Sequence, residues 1–576
     1  MKTYINMKNI LMAILFALPL GLVSCDDDAF LAEKPMDFLA PETAYSSQAG
    51  LRQGLNGLHW SVRNDFFFGE EIQEHSSTYK GVGTDVAYHG EDPNSTKFVS
   101  NYVTYFNSTN GIVVEWWRRP YRIIQRANTI MKFVESADPS IWSSSTKKDE
   151  YMGEALFFRA WCYRHLVSNY GDVPIVEEVI DAAKTDFIRN PKSEAFSLME
   201  SDLKKAVDAL PSRGNEEDPG RITKGAALHL LTEVYLMQNK YNEAVESSTR
   251  LIESMGYKIM TQRFGSAGNS VWGTGDVFYD LFAKDNQNLP ENTENIWAIQ
   301  FDEPSVIGGS NNRGARAWGP AYFRMGNTPD GKPAFRGEFL DGNYTGYSDT
   351  LGRGVSWIRP TAFMSYGVWG ADFDSDFRNA KHMVKRDFYF DNPESSYHGQ
   401  IIDFSLYPPG SGRDPIRDTC QYIYPFFLKF FDPCNIKESP ATSGGGAGYI
   451  DVYAMRLAET YLFRAEAYIQ LGQVDKATED INVLRRRANA TPVTADKVDI
   501  DFMLDERARE LYQEECRFYA LRRTGKLVER VRKYNNNPLN PGLNIQDYHV
   551  LLPIPQVQID LNIDADFPQN PGYAVK

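Results

Sequence analysis

The sequence predicts a mostly α-helical protein: irregular tetratricopeptide-like helical repeats carrying a large, loop-rich, aromatic-rich insertion. Three observations predict it. Apolar residues recur at helical spacing in two separate blocks, the blocks share a local helix–turn–helix pattern, and helical periodicity disappears between them.

The first block runs from about residue 115 to 255. Met152, Leu156, Ala160, Tyr163 and Val167 follow at steps of 4, 4, 3 and 4, which places them on one face of a helix. That helix should stop at Gly171-Asp172-Val173-Pro174, because Gly accepts a left-handed cap and Pro cannot continue the ladder. The second block runs from about Val452 to Arg532, with Ala454, Leu457, Tyr461, Ala465 and Tyr468 on one face. The shared pattern is Tyr235-Leu236-x-x-Asn239-x4-Ala244 and Tyr468-Ile469-x-x-Gly472-x4-Ala477. A Tyr late in one helix packs over the turn, and a small Ala lets the next helix approach closely. Weaker units fall at 121–134/151–168 and 194–210, and the spacing is not a clean 34-residue array.

From about Tyr257 to Gly448 the chain turns to Gly, Pro, Asn, Asp and aromatics. Trp272, Trp297, Trp318, Trp357 and Trp369 place half of the ten tryptophans there, which argues for folded loops and short strands with a binding face rather than for disorder. The expected organisation is a signal peptide over 1–24, a tether over 25–40, an N-terminal helical part over 41–256 and a loop-rich insertion over 257–450. A C-terminal helical part over 451–535 and a packed tail over 536–576 complete it, with 41–576 as one unit.

Lys2 and Lys8 precede an apolar run from Ile10 to Val23, too short to span a bilayer and suited to a cleaved signal. Leu22-Val23-Ser24-Cys25 resembles a bacterial lipobox, which makes Cys25 the lipidated N-terminus of the mature chain. The acidic run Asp26, Asp27, Asp28 resembles a signal for the outer face of the outer membrane. With 61 Lys and Arg against 76 Asp and Glu, the formal charge is −15, so a lipid, not protein charge, must hold the chain at an anionic surface. The same charge, with no basic run, excludes nucleic acid as the partner.

Cys162 and Cys516 lie in helical patterns as small hydrophobes, whereas Cys420 and Cys434 flank an apolar run and could form a disulfide. No metal site is read: CxxC spacing is missing, and Asp372, Asp374 and Asp376 lack the Gly and Glu that an EF-hand loop requires. HExxH and G-x-S-x-G are also missing, so no catalytic residue or cofactor is assigned.

A ligand face needs flat aromatic platforms beside planar hydrogen-bonding groups. The loop from Tyr79 through Tyr88 to His89 is expected to meet the insertion loops bearing Trp272, Trp318, Trp357 and Trp369 in a shallow aromatic arc. Asp85, His89 and Asn312 are its polar candidates. Trp116, Trp117, Trp161 and Trp297 fall in scaffold patterns, and Arg359 is either a turn anchor, the favoured reading, or a ligand contact.

The order of several segments resembles the SusD/RagB family of surface nutrient-binding lipoproteins over nearly the whole mature length. The segments include Tyr121-Arg122-Ile123-Ile124-x-x-Ala127-Asn128, Glu154-Ala155-Leu156-Phe157-Phe158-Arg159-Ala160, Gly220-Arg221-Ile222-Thr223-Lys224-Gly225 and Glu294-Asn295-Ile296-Trp297. Arg456-Leu457-Ala458-Glu459-x-Tyr461, Glu506-Arg507-x-x-Glu510-Leu511, Arg522-Arg523-Thr524-Gly525, Leu552-Pro553-Ile554-Pro555 and Asn570-Pro571-Gly572-Tyr573 follow. The resemblance implies a helical fold with four tetratricopeptide-like units and a loop-rich insertion that binds a glycan, or in some members a peptide. It also implies no catalysis, and a partner: a TonB-dependent outer-membrane transporter of the SusC type, over which such proteins sit as hinged lids. An adaptor whose repeats hold another protein and whose loops bind nothing small is the alternative from a different class.

Overall fold

The computed structural model describes residues 40–67, 79–90, 101–303, 305–306, 308–432, 436, 448–535, 537 and 544–574. The signal peptide, Cys25 and all of the tether except Ala40 lie outside the described residues.

The long helices described in the first part are α1 Gln48–Phe66, α2 Gly111–Ser136, α3 Ser145–Tyr170, α4 Lys192–Ala209, α5 Lys224–Met237 and α6 Tyr241–Ser254. Side chains cap the first three, with Ser47, Asn110 and Ser144 accepting from backbone N–H groups of the first turn. Gly171 ends α3 at φ +74°, as the breaker cluster requires. After the insertion come α7 Leu457–Gln470, α8 Val474–Arg487, α9 Ile500–Leu511, α10 Arg517–Arg523 and α11 Leu527–Tyr534, with a short helix Gln556–Leu561 in the tail.

Each helix from α1 to α8 packs on the next one, and α6 packs on α7 across the whole intervening insertion. The two parts of the scaffold are therefore one stack, as helical repeats demand. The repeated pattern has one geometry at both places. Asn239 and Gly472 turn at φ +58° and +71°, and the N–H groups of Lys240 and Gln473 bond the carbonyls of Tyr235 and Tyr468 at 2.9 and 2.8 Å. Ala244 and Ala477 are fully buried where the second helix closes on the first.

Four two-stranded ladders organise the rest, all antiparallel. β1 (Ala87–Tyr88) pairs with β5 (Arg359–Pro360), β2 (Asn295–Ile299) with β8 (Val452–Arg456), β3 (Phe339–Leu340) with β4 (Asn343–Tyr344) and β6 (Val384–Lys385) with β7 (Phe426–Phe427). The β2–β8 ladder draws both ends of the loop-rich segment together beside α7.

A buried network of charge joins that segment to the C-terminal helices. Arg378 bonds Asp376, Glu506 and Glu510 at 2.7–3.0 Å, Arg456 bonds Glu294, Glu510 and Glu514, and Arg487 bonds Glu294 and Glu510. The charges of the 506–523 region are thus mostly interior rather than a solvated face. Burial alone would raise the carboxyls of Glu506 and Glu510, but their arginines outweigh it and hold both well below the ordinary range. Asp372 and Asp376 of the alternating acidic triplet are taken up by Arg485 and Arg378.

Candidate functional site

The loop at 79–90 does meet the insertion, but the meeting is interior. The Thr361 hydroxyl donates to the Asp85 carbonyl at 2.8 Å, its N–H bonds the Val86 carbonyl at 3.0 Å, and the Gly90 N–H bonds the Ser356 carbonyl at 3.1 Å. Tyr79, Asp85, Tyr88 and His89 are all buried, which removes them from the expected surface arc. Tyr79 packs against Phe66, Phe67 and Tyr519. Asp85 accepts from Arg517 at 2.9 and 2.7 Å and from Arg530 at 2.7 Å; burial would raise its carboxyl, but the two guanidinium groups hold it below its ordinary value. Tyr88 carries the Arg359 guanidinium 5.0 Å above its ring, which fits the anchoring role read for Arg359.

Asn312, Trp318 and Trp369 are corrected in the same way. Asn312 donates to the Ile450 carbonyl and accepts from the Gly314 N–H, both at 2.8 Å, so its side chain fastens two loops. Trp318 stacks on Phe430 and meets the edge of Tyr512, and Trp369 donates to the Met364 carbonyl at 3.0 Å. Both rings are wedges, because a segment this poor in helix must build its core from aromatics. Trp272 and Trp357 alone of the nine candidates keep partial exposure. Trp272 stacks on Phe431 at an interplanar angle of 13° and donates to the Thr350 carbonyl at 2.7 Å. Cys420 is a buried thiol, and Cys434, the other half of the expected bridge, lies outside the described residues.

The exposed rings lie elsewhere in the same segment. Asp341 and Gly342 turn at φ +50° and +81°, as a two-residue hairpin with the strand twist requires, and present Phe339 and Tyr344 at its tip. These two rings are 59% and 49% exposed, with centroids 4.8 Å apart. The Arg336 guanidinium lies 3.9 Å from the Tyr344 ring. The hairpin stem bonds Tyr347, whose ring meets Phe323 edge-on at 5.0 Å, and Arg353 lies 5.5 Å from the first ring and 5.9 Å from the second. Flat apolar faces alternate here with planar donors, which can hold sugar C–H faces and hydroxyl or acidic edges. An Asp-Gly pair flanked by aromatics is the sequence signal that marks this tip.

A concavity of about 420 Å³ elsewhere is lined by Gln53, His59, Trp60, Arg63, Arg221 and Trp297. Its charged groups are already engaged: His59 and Arg221 share Glu154, and Arg63 donates to the carbonyls of Gln300 and Gly308. Trp60 is its exposed ring, at 44%. The hairpin face, with more exposed rings, is the stronger candidate. Among the described residues no helix is long and apolar enough to cross a membrane, and no group of three or more His, Cys, Asp or Glu is placed to hold a metal ion.

Comparison with known proteins agrees with this architecture. A family model described as "SusD family" matches residues 293–573, and one described as "Starch-binding associating with outer membrane" matches residues 29–236. SusD-like protein P25 of Formosa agariphila is 26% identical, covering 96% of this chain and 97% of that one. The starch-binding protein SusD of Bacteroides thetaiotaomicron is 26% identical over 73% of this chain and 72% of its own. The solved structure of surface glycan-binding protein A from Bacteroides thetaiotaomicron superposes with a TM-score of 0.67 at 17% identity, covering 92% of this chain and all of that one. With its helical stack, its loop-rich segment and two family models matched in order along its length, the chain belongs to the SusD family.

Proposed function

We propose that this protein is a lipid-anchored binding protein of the outer cell surface that captures an extracellular oligo- or polysaccharide and passes it to a TonB-dependent transporter of the SusC type. The observation that carries the binding half is the hairpin tip. Phe339 and Tyr344 stand in solvent 4.8 Å apart beside Arg336, and large exposed aromatics gathered on one surface mark a recognition site. The starch-binding and surface glycan-binding relatives support a glycan as cargo.

The anchoring and delivery half rests on family membership and on the Cys25 lipobox. Ile180, Ile188, Leu561 and Ile563 are exposed at 37–77%, which supplies apolar area that a protein partner would bury. No catalytic step is assigned, since the carboxylates described above are committed to arginines.

Isothermal titration of a soluble chain beginning after Cys25 against plant, host and microbial polysaccharides tests the binding half. Heat with one glycan that is lost in Phe339→Ala and Tyr344→Ala supports it. Silence with every glycan moves the reading to peptide cargo or to an adaptor role.

A further inference from the structure

α1 turns one stripe of side chains toward the concavity that it forms with β2 and the loop at 218–221. Gln53, Asn56, Trp60 and Arg63 follow at steps of 3, 4 and 3, so one helix face supplies two amides, an exposed ring and a cation. Trp297 lines the inner side, fixed by the bond from its indole N–H to the Gly220 carbonyl at 3.1 Å. The ions around this concavity pair off with one exception. Glu154 takes His59 and Arg221, and Asp218 takes Arg52 at 2.5 Å. Arg63 is only 9% exposed, yet among the described residues no carboxylate stands within 4 Å of its guanidinium. Two of its five N–H groups go to neutral carbonyls, Gln300 at 3.1 Å and Gly308 at 2.7 Å, and its Nε has no partner. Asp451 acts on it only as a more distant charge, and is itself bonded by Asn288 and the Phe301 N–H at 2.6 and 2.7 Å. Burial therefore lowers the pKa of Arg63. A desolvated guanidinium held by dipoles alone is costly, and an anion brought beside it offsets the cost.

We propose that this concavity is a ligand site, separate from the hairpin face, for a small carboxylate built on a single ring, with the carboxylate on Arg63 and the ring on Trp60. Arginine suits the task because its planar fork meets a carboxylate through parallel N–H bonds. Trp60, 44% exposed, offers a flat face to the ring. Asn56 accepts from Arg221 at 2.6 Å through its Oδ1, which turns its Nδ2 to donation, and with Gln53 it can meet hydroxyls on the ring edge. The volume of about 420 Å³ lies at the small end of the range for ligand pockets, which suits one ring rather than a polymer. A sugar acid and an aromatic acid share this chemistry.

The test is isothermal titration of the full chain in detergent with two acids, galacturonate and 4-hydroxybenzoate, beside their neutral counterparts, galactose and 4-hydroxybenzyl alcohol. Saturable heat is expected with at least one acid, about tenfold or more tighter than with its counterpart, the worth of one charge-assisted bidentate contact. Which acid binds tells the sugar source from the aromatic one. Because the pair forms out of water, its affinity should change by less than about threefold between about 50 and about 200 mM salt; a fall of about tenfold would put the acid on surface charges instead and overturn the site. Arg63→Gln should remove the advantage of the acid over its counterpart. Gly57→Asp is the second variant: a Cβ at Gly57, on the lining, meets nothing within 4 Å, so α1 accepts the side chain, and the added carboxylate should weaken the acid about tenfold or more. It keeps the test valid where Arg63→Gln loosens the loop that Arg63 fastens through Gln300 and Gly308. Silence with both acids, equal binding of an acid and its counterpart, or acid binding that survives both substitutions overturns the proposal. Each of these results leaves the polysaccharide titrations of the hairpin face to be decided separately.

Discussion

Replacing Asp85 with Ala removes the acceptor that Arg517 and Arg530 share, and all three side chains are at most 2% exposed. Taking one partner from a buried ion pair costs about 3–5 kcal/mol, because the other charge stays desolvated. Here each arginine keeps another acceptor: Arg517 has Glu515 at 3.1 Å, and Arg530 has Asp505 at 2.5 Å and Asp501 at 3.1 Å. The expected loss is therefore at the low end, about 3 kcal/mol. Unfolding entropy near 60 °C is about 2.1 cal/mol/K per residue, or about 1 kcal/mol/K for a unit of about 500 residues, so the melting midpoint should fall by about 3 °C. The pH dependence has a definite sign. The folded-state pKa of Asp85 is depressed, so its contribution is fully present above the unfolded value of about 3.9 and is lost as pH falls through the lower folded value. Thermal scans at neutral pH should separate the variant from the parent, and the gap should close below about pH 4. An unchanged midpoint combined with lost glycan binding would show that Asp85 serves the ligand and that the interior assignment is wrong.

Phe339→Ala and Tyr344→Ala should each weaken glycan binding by about 1–2 kcal/mol, read by titration, while the melting midpoint stays put because both rings are exposed. A Cβ on Gly354 would stand 2.2 Å from the Gly319 carbonyl carbon and oxygen, so Gly354→Ala should cost about 1–3 kcal/mol in denaturant unfolding and disturb the neighbouring Arg353; an unchanged midpoint would refute the close approach. Asp451 is half-buried and desolvation pushes its carboxyl up to about 7, so its contribution is fully present below about pH 4 and is lost as pH rises through 7. Asp451→Asn should flatten that decline in stability between pH 4 and pH 8, and an equal slope in both proteins would count against it.

The scaffold was legible because a helix pair has a local grammar. Tyr235 with Asn239 and Tyr468 with Gly472 announce their turns within five residues, and the structure closes both turns with the same hydrogen bond. The ligand face was not legible from tryptophan, because composition cannot separate a ring that wedges two loops from one that faces water. Trp318 and Trp369 are wedges, and what decides this lies far along the chain: Phe430 and Tyr512 for Trp318. Asp85 posed the same difficulty, since its partners stand more than 400 residues away. Exposure was written instead in the turn chemistry of Asp341-Gly342, which forces its flanking aromatics to the tip of a hairpin.

The interior charges among Arg378, Arg456, Arg487, Glu294, Glu506, Glu510 and Glu514 act as a keyed joint. Sliding the loop-rich segment by a single residue would leave several ions unmatched in a dry interior, so one alignment is enforced far more sharply than apolar packing would enforce it. The joint leaves the outer turns free of that constraint. A hairpin such as Phe339–Tyr344 can be lengthened, recharged or replaced without touching the key, so cargo preference can change quickly on a frame that does not.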